Sequence, residues 1–189
     1  MTENQNKIIE LVKQTKPLIF QEMTHEKVTE KGAADYVTNV DVAVQNFLKD
    51  ALAKKFPDVA LIAEEKENLG LDPAKSYWIL DPIDGTTNLI RDYHLSAVSL
   101  GLYEKGEITF GVVYNPFTEE LFCGTKGEGA FLNSDPIHVS VAETLSESLV
   151  TIGTSPYYHE LADWNFKVFK EVFLSCQDIR RLGSVPVIL

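Results

Sequence analysis

The sequence predicts a mixed α/β protein that opens with helices, continues as an antiparallel sheet and ends in alternating strands and helices. Apolar residues recur at helical spacing before residue 57, turn residues separate short apolar runs from residue 97 to 139, and a strand, helix, strand order follows residue 145. The chain has 189 residues, of which 44% are hydrophobic and 24% charged. This balance is typical of a globular protein with a sizeable core.

Two amphipathic helices are predicted before Pro57. In the first, from about residue 4 to residue 22, apolar residues fall at helical spacing. The second begins at a capping box, because Thr38 stands three residues before Asp41. Its apolar stripe consists of Val44, Phe47, Leu48, Ala51 and Leu52. We therefore expect a helical layer that packs on the sheet.

Short apolar runs predict the strands. The first two, 59–63 and 77–80, are each followed by acidic residues, as expected of buried strands that carry polar groups to a sheet edge. Four more form a predicted antiparallel meander at 97–103, 108–114, 121–125 and 137–139. Turn signals separate them, and Asp135-Pro136 is the last of these signals.

The change of order after residue 145 predicts two domains, 1–145 and 146–189. The second domain contains a strand at 149–153, a helix at about 159–174 and a strand at 179–182. Four apolar residues of this helix are expected to face inward: Leu161, Trp164, Val168 and Val172.

Charge and composition exclude several classes of partner. The formal net charge of -11 would repel nucleic-acid phosphates and anionic membrane surfaces. The first residues lack the order of a secretory signal, and no apolar run is long enough to cross a bilayer. Cys123 and Cys176 show neither zinc-site spacing nor the density of a disulfide scaffold. We expect a cytoplasmic protein with no nucleic-acid or membrane partner.

The segment around residue 83 is the richest in candidate ligands. Asp81 and Asp84 bracket a proline turn, so both carboxylates and the Ile83 carbonyl can converge on one point. Hard oxygen ligands on a tight turn suit Mg²⁺. The N–H groups of Gly85 and Thr86 could open a short helix and face an anion. This turn is therefore predicted to combine metal ligands with a phosphate site.

Further carboxylates are expected close to this turn. Glu64 and Glu65 end the preceding strand, and Asp35 and Asp41 flank the start of the second helix. Taken singly, Asp35 or Glu65 is better explained as a solvated cap. So many acidic groups would repel one another without cations, which strengthens the prediction of a metal site.

An ordered set of motifs resembles the inositol monophosphatase family of Li⁺-sensitive phosphatases. The set comprises Glu64-Glu65 and the runs 35–41, 81–86, 110–116, 126–131 and 180–184. The resemblance covers nearly the whole chain. It implies an α/β/α/β/α layered sandwich of the inositol monophosphatase and fructose-1,6-bisphosphatase type, and a homodimer.

The resemblance also implies a ligand set for two or three Mg²⁺ ions. Glu64, Asp81 and the Ile83 carbonyl would hold one ion, and Asp81 and Asp84 a second. A weaker third ion would lie near Glu64. Glu65 and Asp35 would contact these ligands without binding an ion themselves.

Catalytic and substrate-binding roles follow from the same resemblance. Thr86, oriented by Asp41, would position the attacking water or accept its proton, with Glu64 as a neighbouring base. Contacts to phosphate or substrate would come from Asp84, Gly85, Thr86 and Ser184. The implied reaction is Mg²⁺-dependent hydrolysis of a small phosphate monoester by metal-activated water.

Myo-inositol 1-phosphate is the substrate that the resemblance favours. Fructose 1,6-bisphosphate, a nucleotide 3′,5′-bisphosphate and NADP are alternatives, since later residues distinguish the alcohol. The family's last metal ligand lies in a Trp-Asp-x-Ala-Ala segment that has no counterpart here, and Asp163-Trp164 has the reverse order. We therefore expect the C-terminal part of the fold to be incomplete. The alternative of another class is a non-catalytic protein that binds metal or a partner through the apolar residues 185–189.

Overall fold

The structure of the chain is a computed structural model that describes residues 2–25, 27–32, 35–63, 72–154 and 158–184. These residues contain a long mixed sheet, a helical layer on one of its faces, and a smaller strand, helix, strand unit. None of the described helices combines the length and apolar character that a bilayer-spanning segment requires.

The helical layer consists of α1 (Glu3–Lys13), α2 (Thr15–Met23) and α3 (Asn39–Lys55). The prediction of one helix from 4 to 22 is wrong, because the helix is interrupted at Gln14. Pro17 explains the break: its ring would clash with the carbonyl group four residues earlier, which belongs to Lys13, the last residue of α1.

The capping box predicted for the second helix is confirmed at the start of α3. Thr38 Oγ1 accepts a hydrogen bond from the Val40 N–H at 3.1 Å. In return, Asp41 Oδ2 accepts from the Thr38 N–H at 2.9 Å and from Thr38 Oγ1 at 2.6 Å. Both residues are buried, so the cap fixes the entry of α3 without competition from water.

Thr38→Ala is expected to lower the free energy of unfolding by about 1 to 2 kcal/mol, since it removes a buried cap and one donor to Asp41. Urea unfolding followed by circular dichroism measures the change. Thr2→Ala is the matched control, because Thr2 forms the capping box of α1 at an exposed site and should cost only about 0.5 kcal/mol. Equal losses in the two variants would contradict the prediction.

Seven strands form the main sheet in sequence order: β3 (Ala60–Ala63), β4 (Tyr77–Asp84), β5 (Ala97–Glu104), β6 (Glu107–Asn115), β7 (Glu120–Thr125), β8 (Gly129–Leu132) and β9 (Asp135–Ile137). β3 and β4 are parallel, and the other neighbours are antiparallel, which confirms the predicted meander. A separate hairpin of β1 (Val28–Gly32) and β2 (Asp35–Thr38) precedes α3.

Two details of the meander differ from the prediction. β8 was not expected, and Asp135-Pro136 belongs to β9 and not to a turn. The turn lies directly before β9, at Asn133 and Ser134, whose φ angles of 47° and 78° are left-handed. Asparagine tolerates this conformation better than most residues, so Asn133 was the turn signal to use.

The core lies between the helices and one face of the main sheet. Trp78, Leu80, Leu100 and Val112 are almost fully buried on this face. From the helices they meet apolar residues that include Val12, Ile19, Val44, Leu48 and Leu52. Each such side chain contributes about 1.5 to 3 kcal/mol when fully buried, so this layer holds β4 and β5 in place.

The smaller unit contains β10 (Leu149–Thr151), α5 (Ala162–Ser175) and β11 (Asp178–Arg180), and the two strands are parallel. The predicted strand, helix, strand order is thus confirmed. The inward face predicted for α5 is wrong for Leu161, Trp164 and Val168, which are exposed. Helical periodicity identified an apolar stripe but not a partner, and within the described residues no side chain of α5 is buried. The division into 1–145 and 146–189 stays a prediction.

Candidate metal and phosphate site

A β-bulge at the end of β4 aligns two carboxylates. Asp81 pairs with Ser99 of β5, and Asp84 pairs with Ala97. The two paired positions are therefore three residues apart in β4 but two residues apart in β5, so β4 contains one extra residue. In a regular strand, residues three apart would point to opposite faces of the sheet. Ser99 and Ala97, two apart, share one face of β5, and the extra residue in β4 therefore brings Asp81 and Asp84 to the same face.

The bulge refines the predicted proline turn, because Asp81 and Asp84 lie within a strand. Pro82 fits there since a bulge is one of the few places in a sheet where a missing N–H is tolerated. Ile83 is 3% exposed, so its side chain anchors the bulge in the core. The Ile83 carbonyl oxygen accepts a hydrogen bond from Thr86 Oγ1 at 3.1 Å and retains a second lone pair.

Gly85 makes the sharp exit from β4 into the short helix α4 (Thr86–Ile90). Its φ of 81° is left-handed, and a Cβ atom at this position would lie 2.9 Å from Ser184 Cβ and 3.0 Å from the Leu95 carbonyl oxygen. Ser96 Oγ donates to the Gly85 carbonyl oxygen at 2.9 Å. Glycine is therefore required both by the backbone angle and by the lack of space.

Asp41 and Thr86 meet across 45 residues of sequence. Thr86 Oγ1 lies 3.4 Å from Asp41 Oδ1 and can donate to it or to the Ile83 carbonyl oxygen. Burial raises the pKa of Asp41, although the hydrogen bonds from Thr38 and Thr86 act in the opposite direction. The buried Asp41 carboxylate is thus within hydrogen-bond distance of the Thr86 hydroxyl group, and both the orienting role of Asp41 and the catalytic role of the pair stay predictions.

Ser184 and Asn88 connect this site to the smaller unit. Ser184 as a residue is 3% exposed, and its hydroxyl group donates to Asp84 Oδ2. Asn88 Nδ2 donates to the carbonyl oxygens of Leu95 at 2.7 Å and Leu182 at 2.8 Å. Sequence reasoning missed the connecting role of Asn88. The signal available was an amide side chain directly before the apolar residues Leu89 and Ile90, since a buried amide needs partners on other segments.

The remaining predicted residues lie outside the described part of the structure. Glu64 and Glu65 fall in the gap between residues 63 and 72, residues 185–189 lie beyond the last described residue, and the side chain of Asp35 is not described. Within the described ranges, no group of three or more His, Cys, Asp or Glu side chains is placed to hold a metal ion. Asp81, Asp84 and the Ile83 carbonyl nonetheless supply hard oxygen ligands of the kind that Mg²⁺ and Ca²⁺ prefer, so the residues present fit such an ion.

Fold and site together define a class of protein: a mixed α/β protein whose bulged strand presents oxygen ligands beside a glycine-led helix start. The profile of the inositol monophosphatase family matches residues 1–188. The chain belongs to this family.

Two curated relatives illustrate the similarity in sequence. An inositol-1-monophosphatase from Synechocystis sp. is 38% identical over 163 residues, which make up 86% of this chain and 57% of that protein. The Nus factor SuhB of Escherichia coli is 34% identical over 161 residues, 85% of this chain and 60% of that protein. The chain thus spans less than two thirds of the length of these relatives.

A solved structure illustrates the similarity in fold. The crystal structure of an IMPase/NADP phosphatase complexed with Mg²⁺ and phosphate superposes with a TM-score of 0.83 at 26% identity, over 98% of this chain and 70% of that chain. The fold of the inositol monophosphatase type, predicted from the resemblance, is confirmed.

Proposed function

We propose that the chain hydrolyses a small phosphate monoester with the help of Mg²⁺. The observation that carries this proposal is the bulge in β4, which places Asp81 and Asp84 on one face next to the Gly85 turn. Two aligned carboxylates would repel each other without a cation, and the same position faces the start of α4. Family membership over residues 1–188 supports the same chemistry.

Each residue of the site has a proposed role. Asp81, the Ile83 carbonyl and Asp84 hold two Mg²⁺ ions, with Glu64 as a further ligand and a weaker third ion beside it. Bound Mg²⁺ supplies a water molecule of lowered pKa and stabilises charge on phosphoryl oxygens. Thr86, oriented by Asp41, would hold that water or take its proton while passing its own hydroxyl proton to the Asp41 carboxylate, and Glu64 is the neighbouring base.

Myo-inositol 1-phosphate is the substrate we propose. The name of the Synechocystis relative, inositol-1-monophosphatase, supports this choice. NADP is the leading alternative, because the solved relative is an IMPase/NADP phosphatase. Fructose 1,6-bisphosphate and a nucleotide 3′,5′-bisphosphate complete the panel, since the core chemistry of such sites does not by itself select the alcohol. A cytoplasmic homodimer inhibited by Li⁺ belongs to the same proposal.

Inorganic phosphate released from each member of this panel tests the proposal. The purified chain is assayed with Mg²⁺ and, as a control, with EDTA. We expect release from myo-inositol 1-phosphate with Mg²⁺ and none with EDTA. Release that persists in EDTA would exclude the metal-dependent mechanism, and no release from any substrate by a folded chain would exclude the enzyme.

A second candidate function is partner binding without hydrolysis. The E. coli relative bears the name Nus factor SuhB, which supports a role in an assembly. In this case the chain would bind Mg²⁺ or a partner protein, with the apolar residues 185–189 as the proposed partner-binding segment, and would release no phosphate. Calorimetric Mg²⁺ titration alongside the phosphate assay distinguishes the two functions.

A further inference from the structure

We propose that Ser184 is a positioning residue that holds the Asp84 carboxylate in the orientation required for a bound cation. The inference rests on the proposed function, because Asp84 is one of its proposed Mg²⁺ ligands. It differs from the expectation that Ser184 contacts the substrate, and it assigns the hydroxyl group to the protein's own carboxylate.

The hydrogen bond between the two residues is the first observation. Ser184 Oγ donates to Asp84 Oδ2, and the residue is 3% exposed. Water therefore cannot easily replace the hydroxyl group as a donor. A carboxylate with one oxygen held in this way loses rotational freedom before any cation binds, so less entropy is lost on binding.

Two glycines bring the backbone of Ser184 close enough for this contact. Gly85 has no Cβ, and an added one would lie 2.9 Å from Ser184 Cβ. A Cβ on Gly183 would lie 2.8 Å from Asn88 Oδ1. Both glycines adopt left-handed φ angles, 81° at Gly85 and 83° at Gly183. The backbone of each glycine thus lies close to a side chain of the other segment, an approach that larger residues would prevent.

Asn88 holds the segment of Ser184 in register. Its amide Nδ2 donates a hydrogen bond to the carbonyl oxygen of Leu182, two residues before Ser184, and another to that of Leu95. The N···O distances are 2.8 Å and 2.7 Å. The amide is mostly buried, and both bonds are of ordinary length. The two residues before Ser184 are therefore held against α4, and this places the Ser184 hydroxyl group beside the Asp84 carboxylate.

Three variants test the proposal, each measured for Mg²⁺ affinity by calorimetry on the chain prepared without metal. Ser184→Ala should raise the Mg²⁺ dissociation constant about tenfold, since loss of a group behind a metal ligand commonly weakens affinity 10- to 100-fold. Ser184→Thr retains a hydroxyl group and should restore affinity to within about twofold of the wild type. Thr15→Val is the matched control, because Thr15 is a fully buried hydroxyl that donates to Val12 O at 2.6 Å, far from the site.

A double-mutant cycle in EDTA gives a readout that needs neither Mg²⁺ nor activity. Unfolding equilibrium constants are compared for Ser184→Ala, Asp84→Ala and the double variant. A direct contact predicts non-additivity of about threefold or more, whereas independent residues would add. Additive effects, or unchanged Mg²⁺ affinity in Ser184→Ala, would overturn the inference.

The same measurements separate this inference from the proposed function. A chain that binds Mg²⁺, shows the Ser184 effect and releases no phosphate would contradict the phosphatase and support the positioning role. If the Ser184→Ala variant releases phosphate at the wild-type rate and with wild-type Mg²⁺ dependence, the result would support the phosphatase and contradict the positioning role. Equal weakening of Mg²⁺ binding by Thr15→Val would overturn the inference, because the effect would then report general stability.

Discussion

Asp81→Asn is expected to reduce phosphate release from myo-inositol 1-phosphate by more than about 100-fold at a fixed Mg²⁺ concentration. Groups that only support a metal ligand already account for 10- to 100-fold, and Asp81 is proposed to contact both main ions. The amide keeps the shape of the side chain but removes its charge. Two cations would then face a single carboxylate at the bulge, so affinity for both should fall.

Phosphate release at several Mg²⁺ concentrations measures this effect. Asp135→Asn is the control, because Asp135 is an exposed carboxylate in β9, and its removal changes the net charge equally. We expect this control to retain activity within about twofold, as surface charges away from a site contribute little. If the two variants lose activity to the same extent, Asp81 is not a ligand and the charge of the whole chain explains the loss.

Gly85→Ala is expected to lower the free energy of unfolding by about 2 to 5 kcal/mol. A residue with a Cβ at φ 81° is strained by roughly 1 to 2 kcal/mol. Its Cβ would also lie 2.9 Å from Ser184 Cβ and 3.0 Å from a carbonyl oxygen, and overpacking of this kind costs about 1 to 3 kcal/mol. Because the clash separates β4 from the segment of Ser184, Mg²⁺ binding should weaken as well.

Gly127→Ala separates the two contributions. Gly127 has a similar φ of 78°, but nothing lies within 4 Å of an added Cβ. This control should therefore lose only the strain of about 1 to 2 kcal/mol. Chemical unfolding gives both values, and the difference between them measures the close approach of Ser184 to Gly85. No difference would mean that the two segments separate freely.

Features set by neighbours in sequence were predictable. The capping box of α3 needs only Thr38 and Asp41, and the strands of the meander follow from their apolar runs and turn residues. The break between α1 and α2 also had a local signal in Pro17. In a continuous helix its ring would clash with the Lys13 carbonyl group, and Pro17 has no N–H to donate to that group. The prediction of a single helix relied on apolar spacing more than on this steric rule.

Features set by contacts distant in sequence were not predictable without the resemblance. The bulge at Pro82 and Ile83 depends on the register of β4 with β5, which no pattern in β4 alone reveals. The hydrogen bond of Ser184 depends on where a separate unit packs. Likewise, the apolar stripe of α5 identified residues suited to burial, but burial of Trp164 depends on a partner surface.

The contact between Asp84 and Ser184 joins residues separated by 100 positions in the chain. During synthesis, which proceeds from the N-terminus, the helices and the main sheet are complete long before Ser184 is added. Closing a loop of this length costs entropy that local contacts do not, so the contact forms late. A nascent chain could thus hold a folded sheet while its carboxylate pair still lacks final alignment, so the proposed cation site would be complete only after the segment of Ser184 has been added and has packed.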